Sequence, residues 1–347
     1  MKRRIVYLDM IRIIAAYLVI FTHTGDNGSK LYVYGDYGVI QNTLYMAMDV
    51  FRTINVPLFF MVSGALLLGK TETYSQLFKK HILKYTAVIT VFSYLYYTVY
   101  PLADNNWLDI RGYLKGIYSG NVIGLFWFLY AYLGFLLILP FIRKMIQSMS
   151  DIDYKYILIT GILFKGIFAV VGGLVFCTGF GVSCTFATDS IFYPIMGYYL
   201  AKVIEDRTDK KLLTSGAVLS FFNIICAVLM TYWDMNKNGE YSENYLFSFT
   251  VIPALYMFYL LKCIGRKLEK SQFVCKIINC LGNCSFGVYL FGLFIQVVMV
   301  KPVYRKIFAC LPNFPLLACL VYVAVVVLVA VVITYILKKI PGVRTLL

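Results

Sequence analysis

Apolar runs of roughly 18–22 residues, the length a helix needs to cross a bilayer, recur along this chain between charged or turn-forming residues. They lie near residues 5–24, 48–68, 83–103, 122–142, 156–176, 187–203, 212–232, 246–264, 281–300 and 315–337. The pattern predicts an all-α, polytopic integral membrane protein with about ten transmembrane helices. Gly172, Gly173, Gly179 and Gly181 interrupt it around the fifth and sixth runs. The largest gaps, around residues 25–47 and 104–121, hold about twenty residues each, too few for a soluble domain. Residues 1–347 therefore read as one membrane domain.

Composition agrees. Of 347 residues, 61% are hydrophobic and 14% charged, with a mean hydropathy of +0.76, which excludes disorder and an ordinary soluble domain. A net charge of +15 raises the question of nucleic acid, but topology explains it better. With the N-terminus cytoplasmic, the inner segments hold 22 Lys and Arg and the outer ones seven, the asymmetry of the positive-inside rule. Both termini are then cytoplasmic, and no nucleic-acid partner is implied. The basic start MKRR imitates a signal peptide, but the run after it is too long and carries Asp9 and Arg12. The nine cysteines are scattered without paired CxxC motifs, so neither a zinc site nor a disulfide framework is indicated. Cys177 and Cys184 can pair only if their loop faces an oxidising side.

The first run, LDMIRIIAAYLVIFTH, contains Asp9, Arg12 and His23. Eleven residues between Arg12 and His23 give about 16 Å and three turns plus ~20°, which places both on one helix face. Asp9, three residues before Arg12, shares that stripe. An ionisable residue left in lipid costs at least ~2.5–3.5 kcal/mol, so such a stripe needs a wet cavity or protein partners. His23, the one histidine in an expected span, has a charge state that switches near neutral pH and can take a proton from a hydroxyl. Arg12 reads either as a cation snorkelling to the headgroups beside Asp9 or as a contact for a donor phosphate, amide or oxyanion.

The second span runs from Asp49 and Arg52 through NVPLFFMVSGALLLG. Antiparallel to the first, it brings Arg52 to the depth of His23, and Ser63 and Gly64 to that of Arg12. Arg52 reads as an interfacial anchor or as a group serving an acceptor, and Pro57 is expected to kink the helix. Lys79, Lys80, His81 and Lys84 form a basic cluster beyond it, best explained by positive-inside topology with His81 on the surface. There is no G-x-S-x-G elbow, no acidic residue five positions after His23, where Gly28 stands, no Walker A loop and no GxGxxG fingerprint.

Four stretches, LDMIRIIAAYLVIFTH, RTINVPLFFMVSGALLLGK, GLFWFLYAYLGFLLILPFIRK and LGNCSFGVYLFGLF, resemble the integral membrane proteins of acyltransferase family 3. Within it the likeness is to the enterobacterial common antigen O-acetyltransferase branch. The resemblance implies transfer of an acyl group, often acetyl, from cytoplasmic acyl-CoA to a hydroxyl of a cell-surface polysaccharide or lipid-linked glycan precursor. It implies no bound cofactor and no metal, the acyl-CoA being a substrate, and a place in the bacterial cytoplasmic membrane. By position it makes His23 the catalytic base and Arg12 the essential arginine supported by Asp9, with Arg52, Ser63, Trp127 and Tyr289 as substrate-binding residues. Where many relatives carry a histidine soon after the Tyr-Leu of SFGVYL, this chain has Phe291 and Gly292. A small-solute carrier or sensor built on the same polar stripe is the alternative reading.

Overall fold

A computed structural model describes residues 4–35, 37–99, 109–176, 180–204, 209–238 and 245–347. These residues are overwhelmingly helical and include no strand. The longer helices are α1 (Val6–Thr22), α2 (Val39–Arg52), α3 (Asn55–Leu67), α4 (Leu83–Val99), α5 (Ile110–Ser119), α6 (Trp127–Gln147), α7 (Asp151–Ile162), α8 (Asp189–Tyr198), α9 (Lys210–Asn238), α10 (Val251–Leu268), α11 (Gln272–Met299) and α12 (Pro315–Leu337).

Among the described residues, six helical stretches are long and apolar enough to cross a membrane. They are Val39–Leu67, Gly124–Gln147, Asp151–Phe176, Lys210–Lys237, Gln272–Met299 and Pro315–Leu337. The other four expected spans fall on shorter or more charged helices. α1 and α4 have 17 residues each, α8 has 10 before the π-helical turn Tyr199–Val203, and α10 ends with Arg266 and Lys267 in its last turn.

Three local expectations change. The second span starts at Val39, well before residue 48, because its amphipathic first half is helical despite a modest mean hydropathy. Pro57 does not kink a helix. It lies in the first turn of α3, where its missing N–H costs no intrahelical bond, and the interruption falls at Thr53–Ile54 instead. Five-residue π-helical turns at Phe78–Ile82 and Leu163–Ile167 shift the register of the segments around them, something a 3.6-residue period does not foretell. Cys177 lies outside the described residues.

α1 is the central element. Ile11, Ala15 and Phe21 are completely buried, and the helix packs against α3, α10, α11 and α12. In lipid no hydrophobic force drives helices together, so close backbone approach at small residues does much of the work. α3 and α8 meet this way: a Cβ at Gly64 would stand 1.9 Å from the Pro194 carbonyl oxygen, and one at Gly197 would stand 2.1 Å from that of Met61.

Candidate functional site

Asp9 is buried on α1 and held from two sides. Arg4 donates to it through Nε (2.7 Å) and Nη2 (2.9 Å), and Arg12 through Nη1 at 2.6 Å. The carboxylate thus fixes Arg12 while leaving the arginine partly accessible. Arg12 opens onto a cavity of about 340 Å³ between α1, α3, α4, α6 and α11. Arg4, Arg12, Lys70, Lys84 and Lys338 put five cations on its wall, together with His81, and no Asp or Glu side chain lines it. Ser63 and Tyr289 also face this cavity; the Ser63 hydroxyl donates to the Phe59 carbonyl at 2.8 Å.

His81 is therefore not a surface residue. The π-helical turn Phe78–Ile82 divides the basic cluster, leaving Lys79 and Lys80 exposed and turning His81 and Lys84 to the cavity. Glu72 pairs with His81 (3.6 Å) and with Arg143 (2.9 Å), and Arg143 also donates to the Leu67 carbonyl at 2.9 Å. Burial pushes the Glu72 carboxyl up, but the hydrogen bond from Arg143 and the nearby positive charges outweigh it, and the carboxyl stays below its usual value. Burial holds the His81 imidazole below its ordinary value, the pull of Glu72 notwithstanding.

At the other end of α1 the chain turns sharply. The His23 N–H closes on the Ile20 carbonyl (3.2 Å), the Thr24 hydroxyl donates to the Phe21 carbonyl (2.7 Å), and the Ser29 N–H donates back to Thr24 Oγ1 (3.0 Å). This turn presents His23, exposed, to a second cavity of about 290 Å³. Arg52 lines the same cavity and is near enough to His23 for their charges to interact. Arg52 is buried in an ion pair with Asp49, whose other oxygen accepts from the Tyr32 hydroxyl at 2.7 Å. The break at Thr53–Ile54 sets this wall. Thr53 exchanges a hydrogen bond with Thr250 at 2.7 Å, and Asn55 donates to Thr22 at 2.8 Å, tying α3 to α1 beside His23. Trp127, 51% exposed, lines this cavity too.

The two cavities share two lining residues, Phe128 and Tyr289. Their rings meet edge to face at 5.7 Å, and the Tyr289 hydroxyl is anchored to the Leu125 carbonyl at 2.8 Å. Arg12 and His23, on one helix, thus open into separate chambers divided by an aromatic partition. Tyr130 has a different task, donating to the Ile117 carbonyl at 2.9 Å.

The sequence reading missed Lys165, Asp189 and Tyr193, which line the His23 cavity. A signal was present. Lys165 stands at the middle of the expected span 156–176, far from either end. Among the described residues no cluster of three or more His, Cys, Asp or Glu is placed to hold a metal ion.

These features define a multi-pass membrane protein with two polar chambers on a single helix. The chain matches the acyltransferase domain of family 3 over residues 5–335, nearly its whole length. It belongs to that family and is a membrane acyltransferase. No curated protein and no solved structure matches it significantly.

Proposed function

We propose that the chain is an acyl-CoA-dependent O-acyltransferase that moves an acetyl or other short acyl group to a hydroxyl of a cell-surface glycan or its precursor. The observation that carries this reading is the pair of chambers divided by Phe128 and Tyr289. The Arg12 chamber, whose five cations outnumber their one carboxylate partner, Asp9, suits the phosphates of a nucleotide-bearing donor arriving from the cytoplasm. The His23 chamber, whose Arg52 and Lys165 are each paired with a carboxylate, suits a hydroxyl acceptor. This assignment places both termini on the cytoplasmic side of a bacterial inner membrane, in line with the distribution of Lys and Arg. Likeness to the common antigen O-acetyltransferase branch belongs to the same proposal.

The roughly 16 Å between Arg12 and His23 sets the division of labour. Arg12, steadied by Asp9, holds the body of the donor, while the thioester reaches past the partition. His23 removes the proton from the acceptor hydroxyl as its oxygen attacks the thioester carbonyl. The tetrahedral oxyanion is stabilised by Arg52. Its collapse forms the ester and breaks the C–S bond, and the CoA thiolate recovers the proton from the imidazolium. Ser63 and Tyr289 lie along the donor's path, and Trp127 faces the acceptor.

Membranes containing wild type or His23→Ala, supplied with radiolabelled acetyl-CoA and candidate glycans, test the reading. Transfer is expected to fall by about 10²–10⁴-fold in the variant. Transfer at the wild-type rate would remove His23 from the mechanism. Solute uptake without transfer to any acceptor would favour the carrier alternative.

A further inference from the structure

Lys165 sits in Asp151–Phe176, a stretch whose most apolar 18-residue window has a mean hydropathy of 2.2 and is only 11% buried inside the protein. Such a helix turns most of its surface to lipid, where an ammonium group is costly and is ordinarily absent unless it serves a site. It lies within the π-helical turn Leu163–Ile167, an insertion that re-aims side chains and is frequent at functional sites. There it reaches the His23 chamber, pairs with Asp189 at the start of α8 and lies 5.4 Å from the centre of the Tyr193 ring. The Tyr193 hydroxyl is buried and has no hydrogen-bond partner, an arrangement that costs about 1–3 kcal/mol unless something else relieves it. Neutralising Lys165 explains Asp189 but explains neither the π-helical turn nor the orphan hydroxyl.

We infer that Lys165, Asp189 and Tyr193 form the acceptor subsite and bind adjacent hydroxyls of a neutral sugar ring. The inference rests on the acyltransfer reading for the identity of the chamber, but the binding chemistry stands on these residues. A carboxylate with one oxygen engaged by an ammonium retains lone pairs for sugar O–H groups, and the ammonium retains protons for sugar oxygens. Trp127, half exposed in the same chamber, offers a flat apolar surface to the C–H face of the ring. Because Arg52 and Lys165 are already matched by Asp49 and Asp189, a neutral polyol disturbs fewer charges than an anionic sugar. Lys30, also on the wall, is the group that would favour the anionic alternative. At about 290 Å³ the chamber admits a monosaccharide-sized group, so one residue of a glycan enters while the rest stays outside.

The test is saturation-transfer NMR on the purified full chain in detergent, with methyl α-glucoside, N-acetylglucosamine and glucuronate as probes. Acetyl-CoA binding is measured by calorimetry on the same preparation. Wild type is expected to bind the two neutral sugars. Asp189→Asn should weaken them about tenfold, the loss of one charge-assisted contact. Tyr193→Phe is the cleaner variant, because it removes a hydroxyl that bonds nothing in the protein. A structural role predicts unchanged sugar binding and equal or better thermal stability, whereas the subsite predicts sugar binding weakened about threefold to tenfold at undiminished stability. Unaltered sugar binding in both variants, no neutral-sugar binding by wild type, or binding of glucuronate alone would overturn the proposal. Failure of wild type to bind acetyl-CoA while sugar binding follows the expected pattern would instead remove the donor reading and leave the subsite standing.

Discussion

The two chambers on α1 are similar in size and opposite in electrostatic design. Near Arg12, five cations line the wall against a single carboxylate, Asp9, which Arg4 and Arg12 share, so the field there is unbalanced and attractive to anions. Near His23, Arg52 and Lys165 each have a carboxylate partner, so that chamber offers directional hydrogen bonds more than net charge. In the proposed mechanism one helix serves two kinds of ligand because its polar residues stand at opposite ends, with Phe128 and Tyr289 in contact between the two chambers.

The largest way to break this contrast is His23→Gln. Transfer should fall by about 10²–10⁴-fold with acetyl-CoA affinity retained, as kinetics and calorimetry on the same membranes would show. Equal loss of donor binding would mean that the chambers are not separate. Next comes Arg12→Gln, expected to weaken acetyl-CoA binding by about 10–100-fold through loss of a charge-assisted contact. Donor affinity should also decline with added salt much more steeply than sugar affinity, because the Arg12 chamber carries the unbalanced charge. Parallel salt dependences would contradict the comparison. Widening the partition with Phe128→Ala should raise the use of butyryl-CoA relative to acetyl-CoA by about tenfold, the worth of one or two methylenes in an apolar passage. An unchanged acyl preference would show that the acyl group takes another route.

The smallest effect concerns pH. Glu72 and His81 both have folded-state values below their ordinary ones, so the folded protein binds fewer protons than the unfolded chain. Their stabilising contribution is complete above about pH 6.5, the unperturbed histidine value. It declines as acid protonates first His81 and then, below about pH 4.3, Glu72. Thermal unfolding of His81→Gln between pH 7 and 5 should show a flatter profile than wild type, and an identical slope would exclude His81 as its source.

Much of this was legible in the residues. The all-helical membrane architecture follows from long apolar runs, and the Asp9, Arg12, His23 stripe from helical spacing, because both depend on near neighbours in the chain. The partners that complete the chambers do not. Lys165 meets Asp189 across 24 positions and only by way of a π-helical turn, while Glu72 reaches Arg143 across 71. Such meetings are set by packing. His81 was misplaced for the same reason: a run of basic residues reads as a solvated loop until a register shift turns part of it inward.

The glycine crossing of α3 and α8 carries a consequence for any attempt to re-engineer acceptor choice. Asn55 begins α3 and Asp189 begins α8, so the separation of these two helices is the gauge of the His23 chamber. That gauge is set by Gly64 against Pro194 and by Gly197 against Met61, none of which lines the chamber. A single methyl group at Gly64 would have to pry the helices apart, moving opposite walls of the His23 chamber at once without altering any group in it. The width of the chamber is therefore tunable from its scaffold, at positions that a screen confined to chamber-lining residues would not reach.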